Sequence, residues 1–170
     1  RGLWAKVAPN SVCKAAAVQK NKPLYAYISE FSKAKKPLLP VPFMNVLNGG
    51  RHAGLEHAIQ ETMIVPHRFK SFSHALGAGI AVFHSLQTVL HRKFGLSALQ
   101  MGDEGGFVPS QTPTIQDRLD VLEEAVENAG FSKKISFAID AAASEFYDLK
   151  KKCYFLNNKK TPRALIRHRV

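Results

Sequence analysis

Apolar positions along the chain fall into two spacings. Phe72, Leu76, Ile80, Phe83, Leu86, Leu90 and Phe94 stand three or four residues apart, which predicts a helix over 71–94 with that stripe as its inner face. Gly95 sits where a helix stops. Gly77 and Gly79 inside it weaken the helix by about 1 kcal/mol each relative to Ala, and suit close packing on a neighbour. A second stripe, Ile115, Leu119, Leu122, Val126 and Ala129, predicts a helix over 115–129, opened by Thr114 with Asp117 as a capping box and closed by Gly130. The Ala-rich run Ser11–Gln19 and the run Leu24–Phe31 predict two shorter helices, separated by Asn21 and Pro23. Strands are expected in three places. Leu38–Leu47 is apolar but carries Pro40 and Pro42, which suit a strand entry and not its centre. Glu61–Val65 ends at Pro66, and Ile135–Ile139 runs into Asp140. Tyr154–Leu156 is a further short strand, and Asn157–Val170 shows no pattern. The order of two strands, two helices and a strand is not that of a regular βαβα unit.

Charge divides the chain differently. The net charge is +11, yet residues 41–148 hold eight Lys and Arg against twelve Asp and Glu. Residues 1–40 hold eight against one acid, and residues 149–170 eight against none. Basic ends suit an arm that touches nucleic acid. A nucleic-acid-binding domain more often carries a basic stripe across its folded face, so a solvated surface is the preferred account here. No apolar run reaches the length of a membrane span, and the start, Arg1-Gly2-Leu3-Trp4, lacks a signal-peptide layout. The two cysteines, Cys13 and Cys153, lie far apart with no CxxC spacing, which argues for free thiols and against a disulfide framework or a zinc site. Among the histidines, His84 and His91 are seven apart on the long helix and read as surface residues.

Three segments have the residue types for chemistry. Asn48-Gly49-Gly50-Arg51-His52-Ala53-Gly54 is glycine-rich, so His52 can swing toward a ligand; composition alone fits a plain surface loop better. Gly102-Asp103-Glu104-Gly105-Gly106 can turn carboxylates into one pocket for acid–base work or metal contact, and equally can be a polar turn. Asp140 closes an apolar strand, where a carboxylate is costly unless it meets a cation or donors.

Taken together and in order, these segments resemble enolases. Pro40–Gly54 is similar to the family's segment leading into its mobile active-site loop, and Gln60–Pro66 to the strand after it. Gly102-Asp103-Glu104-Gly105-Gly106-Phe107-Val108-Pro109 matches an enolase signature, and Asp140-Ala141-Ala142-Ala143-Ser144-Glu145-Phe146 resembles the metal-bearing strand end. The likeness covers roughly residues 11–148. Leu55-Glu56 departs from the family's usual Asn-Lys, and Ala138 stands for a usual Gly.

The resemblance implies an α/β fold: an incomplete enolase-type, TIM-like barrel beginning with two strands and then two helices, over 38–148. A helical remnant of an N-terminal α+β domain precedes it over 1–37, and a divergent basic tail follows over 149–170. It implies a cytoplasmic lyase of glycolysis that interconverts 2-phosphoglycerate and phosphoenolpyruvate with Mg²⁺, a homodimer at full length. By the match, His52 closes over substrate, Glu61 and Glu104 assist departure of the hydroxyl with Glu104 as general acid, and Asp140 is a Mg²⁺ ligand. The base Lys and further ligands are expected beyond Val170, so the chain alone is expected not to be competent. The alternative is a non-catalytic, enolase-derived component that binds RNA or protein.

Overall fold

The computed structural model describes residues 4–32, 37–50, 59–156 and 159–161. The chain divides into two compact units, Arg1–Pro40 and Val41–Val170. In the first, α1 (Trp4–Gln19) and α2 (Leu24–Ser32) form a helical pair. Ala17 and Tyr27 are buried between them. Lys20 and Lys22 both pair with Glu30. Helix α1 starts seven residues earlier than the expected Ser11, and runs through Pro9. Proline removes one i→i−4 hydrogen bond, and the backbone carries on because Ala5, Lys6, Val7 and Ala8 favour or tolerate helix.

The second unit packs two helices on a sheet. The sheet joins β1 (Met44–Asn48), β2 (Glu61–Val65) and β3 (Ser136–Asp140) in that order, antiparallel throughout. Prolines 40 and 42 delay the strand start to Met44. Strand β1 carries a bulge between Asn45 and Leu47, where it spends two residues against one on β2. Asp140 is the last paired residue of β3, opposite Glu61, and does not follow the strand as expected. The strand pairs on through Asp140 because β2 supplies a partner backbone as far as Glu61. The unit is mixed α/β, and the sheet closes into no barrel among the described residues, as an incomplete barrel requires.

Helix α3 (Phe72–Phe94) is capped by the Ser71 hydroxyl on the His74 amide, and ends at Gly95 with φ +77°. Its buried residues are Ala75, Ala78, Gly79, Val82, Leu86, Val89 and Leu90. The inner face is thus rotated from the expected stripe: Leu86 and Leu90 belong to it, whereas Leu76 and Ile80 are exposed. The rotation follows from Gly79, which lies so close to β1 that an added Cβ would meet Met44 Sδ. Small residues let the helix approach the sheet, and the bulkier ones flank the contact. Gly77 meets nothing and plays no such part.

Helix α4 (Ile115–Asn128) has the expected capping box, with Thr114 and Asp117 each bonding the other's backbone amide. Its buried face is Arg118, Val121, Leu122, Ala125 and Val126. The core gathers Val46, Leu47 and Ile64 from the sheet with Val82, Leu86, Leu90, Leu122 and Phe107. Each such aliphatic side chain contributes roughly 1.5–3 kcal/mol when fully buried. Phe107 stacks on Phe83 with centroids 4.8 Å apart. A short second sheet of β4 (Tyr147–Asp148), β5 (Cys153–Leu156) and β6 (Lys159–Thr161) follows. Strand β6 falls where the sequence shows no pattern; its pairing is supplied by β5 and not by its own apolar residues. Cys13 and Cys153 are free thiols. No described helix is long and apolar enough to cross a membrane.

Candidate active site

Glu61 opens β2 and is the centre of the site. The register sets it opposite Asn48 on β1 and opposite Asp140 on β3. Cross-strand partners share a face of the sheet, so Glu61 and Asp140 stand side by side on neighbouring strands. Glu104 comes from a different part of the chain. The turn Gly102–Gly106 is closed by Gly102 N–H donating to Gly106 O at 2.9 Å, with Gly105 in the left-handed region at φ +79°. Phe107 then pairs with β1, its N–H donating to Val46 O and its carbonyl accepting from Asn48 N–H, both at 2.9 Å. That pairing lays the turn against the end of β1. Asn45 Nδ2 donates to Glu104 Oε2 at 3.0 Å.

The electrostatics follow from this convergence. Partial burial pushes the Glu61 carboxyl above the ordinary glutamate range. A hydrogen bond shared with Glu104 acts in the same direction, as do the charges of Glu104 and Asp140. Gln60 Nε2, at 3.3 Å, opposes the rise. Two neighbouring carboxyls disfavour the state in which both are ionised, so the hydrogen bond and the charge of Glu104 both add to the rise at Glu61. Asp140 is anchored separately: its Oδ1 accepts from the Ala142 amide at 2.9 Å, with Ala142 left-handed at φ +46°.

The donor set suits a hard divalent cation, being carboxylate oxygen. Among the described residues no three His, Cys, Asp or Glu side chains close into a cage. The structure brings together three of the four sequence-predicted residues, Glu61, Glu104 and Asp140. His52 lies outside the described residues.

Two residues that the sequence reading passed over shape the site. Asn45 holds Glu104, and its only signal was a polar residue in an apolar run. Arg118 is 3 % exposed on the apolar face of α4. Its Nη1 donates to Ile59 O at 2.9 Å, and its Nε to Thr112 O at 3.3 Å. Burial lowers its pKa from the ordinary arginine value. The guanidinium also lies beside Gly49, where an added Cβ would strike it. With Gly49 N–H donating to Gln60 O at 2.6 Å, both ends of the segment between β1 and β2 are fixed. An arginine at an apolar position gave no period to find.

Residues 36–166 match the family described as enolase, C-terminal TIM barrel domain. An enolase of Mastigamoeba balamuthi is 43 % identical over 161 residues, covering 92 % of this chain and 36 % of that protein. An enolase of Methanopyrus kandleri is 51 % identical over 140 residues, covering 81 % of this chain and 32 % of that protein. The chain spans about a third of the length of these curated relatives.

Proposed function

This chain belongs to the enolase family, and we propose that it serves the enolase reaction, the reversible dehydration of 2-phosphoglycerate to phosphoenolpyruvate, by contributing one wall of the active site. The observation that carries this reading is the Glu61–Glu104 pair, sharing a hydrogen bond beside Asp140. Loss of a hydroxide is slow unless a proton reaches the leaving oxygen, and a positioned acid typically contributes 10²–10⁴-fold. Glu104, on the exposed turn, is the general acid that donates it. Glu61 is its partner, resupplying the proton that its raised affinity retains. By the same reading His52, which falls between β1 and β2 in the sequence, is a substrate-contacting residue.

Asp140 would hold Mg²⁺, which when bound would supply positive charge to offset the negative charge that develops on the substrate carboxylate. The role of Asp140 is to offer a carboxylate oxygen at a fixed place, and the Ala142 amide holds it there. The same reading brings a homodimer and a cytoplasmic location.

The test is phosphoenolpyruvate formation from 2-phosphoglycerate and Mg²⁺ by the chain completed with the remainder of an enolase barrel, with and without Glu104→Gln in this chain. Turnover that falls at least about 10²-fold in Glu104→Gln supports the reading. Turnover untouched by Glu104→Gln, or none from the folded, completed assembly, contradicts it and favours a non-catalytic binding role.

A further inference from the structure

Strand β1 places two carboxamides where an ordinary strand could not. Side chains alternate along a strand, so residues three apart point to opposite faces. Asn45 and Asn48 are three apart, yet Asn45 Nδ2 donates to Asn48 Oδ1 at 2.5 Å. The bulge is the reason. Asn45 pairs with Met63 and Asn48 with Glu61, so the extra residue on β1 returns Asn48 to the face that Asn45 occupies. Met63 and Glu61 are two apart on β2 and share that face, as does Asp140 across from Glu61. The bulge thus turns both asparagines toward the carboxylates.

The hydrogen-bond pattern fixes which way the first amide points. Both N–H groups of Asn45 are used, one on Asn48 Oδ1 and one on Glu104 Oε2. Turning this amide over would set its oxygen against Asn48 Oδ1, which cannot donate, and against the Glu104 carboxylate, which cannot donate in its ionised form. The arrangement has a cost. Asn45 Oδ1 and Asn48 Nδ2 are buried with no hydrogen-bond partner, and leaving a buried polar atom unpaired is destabilising. The turn above is shaped to match, since a Cβ on Gly106 would lie 2.6 Å from Asn48 Oδ1. A pair of costly amides, a bulge and a glycine all converge on one carboxylate oxygen.

We propose that Asn45, aligned by the β1 bulge and by Asn48, is the positioning residue that aims the Glu104 carboxyl at the reacting centre. The inference rests on the enolase reading for the meaning of Glu104, but the contact itself is tested without turnover. In isotopically labelled protein the Asn45 side-chain amide signals shift when Glu104→Gln is introduced, and the Glu104 carboxyl carbon is followed through a pH titration. In Asn45→Leu its midpoint rises, because a donor to the charged form is lost. Asn45→Ser, too short to reach, gives the same rise and serves if the leucine variant does not fold. Thr62→Val, which alters a buried side chain one residue along β2, leaves the Glu104 titration where it was. Variants that melt earlier but leave the midpoint unmoved would overturn the proposal, as would Asn45 amide signals indifferent to Glu104→Gln. No turnover from the completed barrel together with a moved midpoint overturns the catalytic reading and leaves the positioning contact standing.

Discussion

The raised proton affinity of Glu61 has a consequence for stability. A group whose folded pKa lies above its unfolded value favours the fold most while it is protonated in both states. Its contribution is present below the ordinary value of 4.5 and is lost as pH rises through the folded pKa. Glu61→Gln removes that loss. We therefore expect thermal melts in which the variant is more stable than the parent at pH 7.5, with the difference closing near pH 3.5. Asp117 carries the opposite sign: the Thr114 hydroxyl and amide hold its carboxyl below the usual range. Its stabilisation is present above the unfolded value and fades as pH falls through the folded one. Arg118 gives a third expectation. Arg118→Met leaves the Ile59 and Thr112 carbonyls without this donor, which costs about 2 kcal/mol by urea denaturation and speeds amide exchange at Gly49. Glu104 and Asp140 were legible as residues because their types and surroundings form a motif. Asn45 and Arg118 were not, because one depends on a bulge and the other on a hydrogen bond to a carbonyl fifty-nine residues away.

Among the elements, α3 shows how close approach decides a face. The sequence stripe was sound in period and off in direction, since periodicity weighs the size of apolar residues and not the distance at which a helix packs. Gly77 and Gly79 separate the two effects. Gly77→Ala adds a methyl to open space and gains roughly 1 kcal/mol of helix propensity. Gly79→Ala has the same intrinsic gain, but its Cβ would displace the Met44 thioether. Met44 is flexible and half-buried, so the net effect is near zero, and a pair of chemical denaturation curves distinguishes the two variants. At α4 the sequence reading and the structure agree on the cap; Thr114→Ala costs about 1 kcal/mol. The bulge in β1 had no sequence signature. It arises from pairing with β2, which lies beyond a loop, and pairing across a loop is a property of two segments together.

The second unit as a whole divides its labour by chain region. The core of sheet and two helices supplies rigidity, and two strand ends with one turn supply the carboxylates. Those carboxylates belong to the acidic middle of the chain, while the basic residues concentrate at the ends. The segment order of two strands, two helices and a strand was readable from spacing alone. The gathering of Glu61, Glu104 and Asp140 was not, because it needs antiparallel register to place two of them and a turn to bring the third. The most direct test of the account is a spectroscopic titration of the labelled chain with Mg²⁺ and phosphoenolpyruvate, following the carboxyl carbons of Glu61, Glu104 and Asp140. Saturable shifts are expected at all three, and the Mg²⁺-dependent part of the response is lost in Asp140→Asn. Shifts confined to the basic ends, with the three carboxyls unmoved at saturating Mg²⁺ and ligand, would contradict the account.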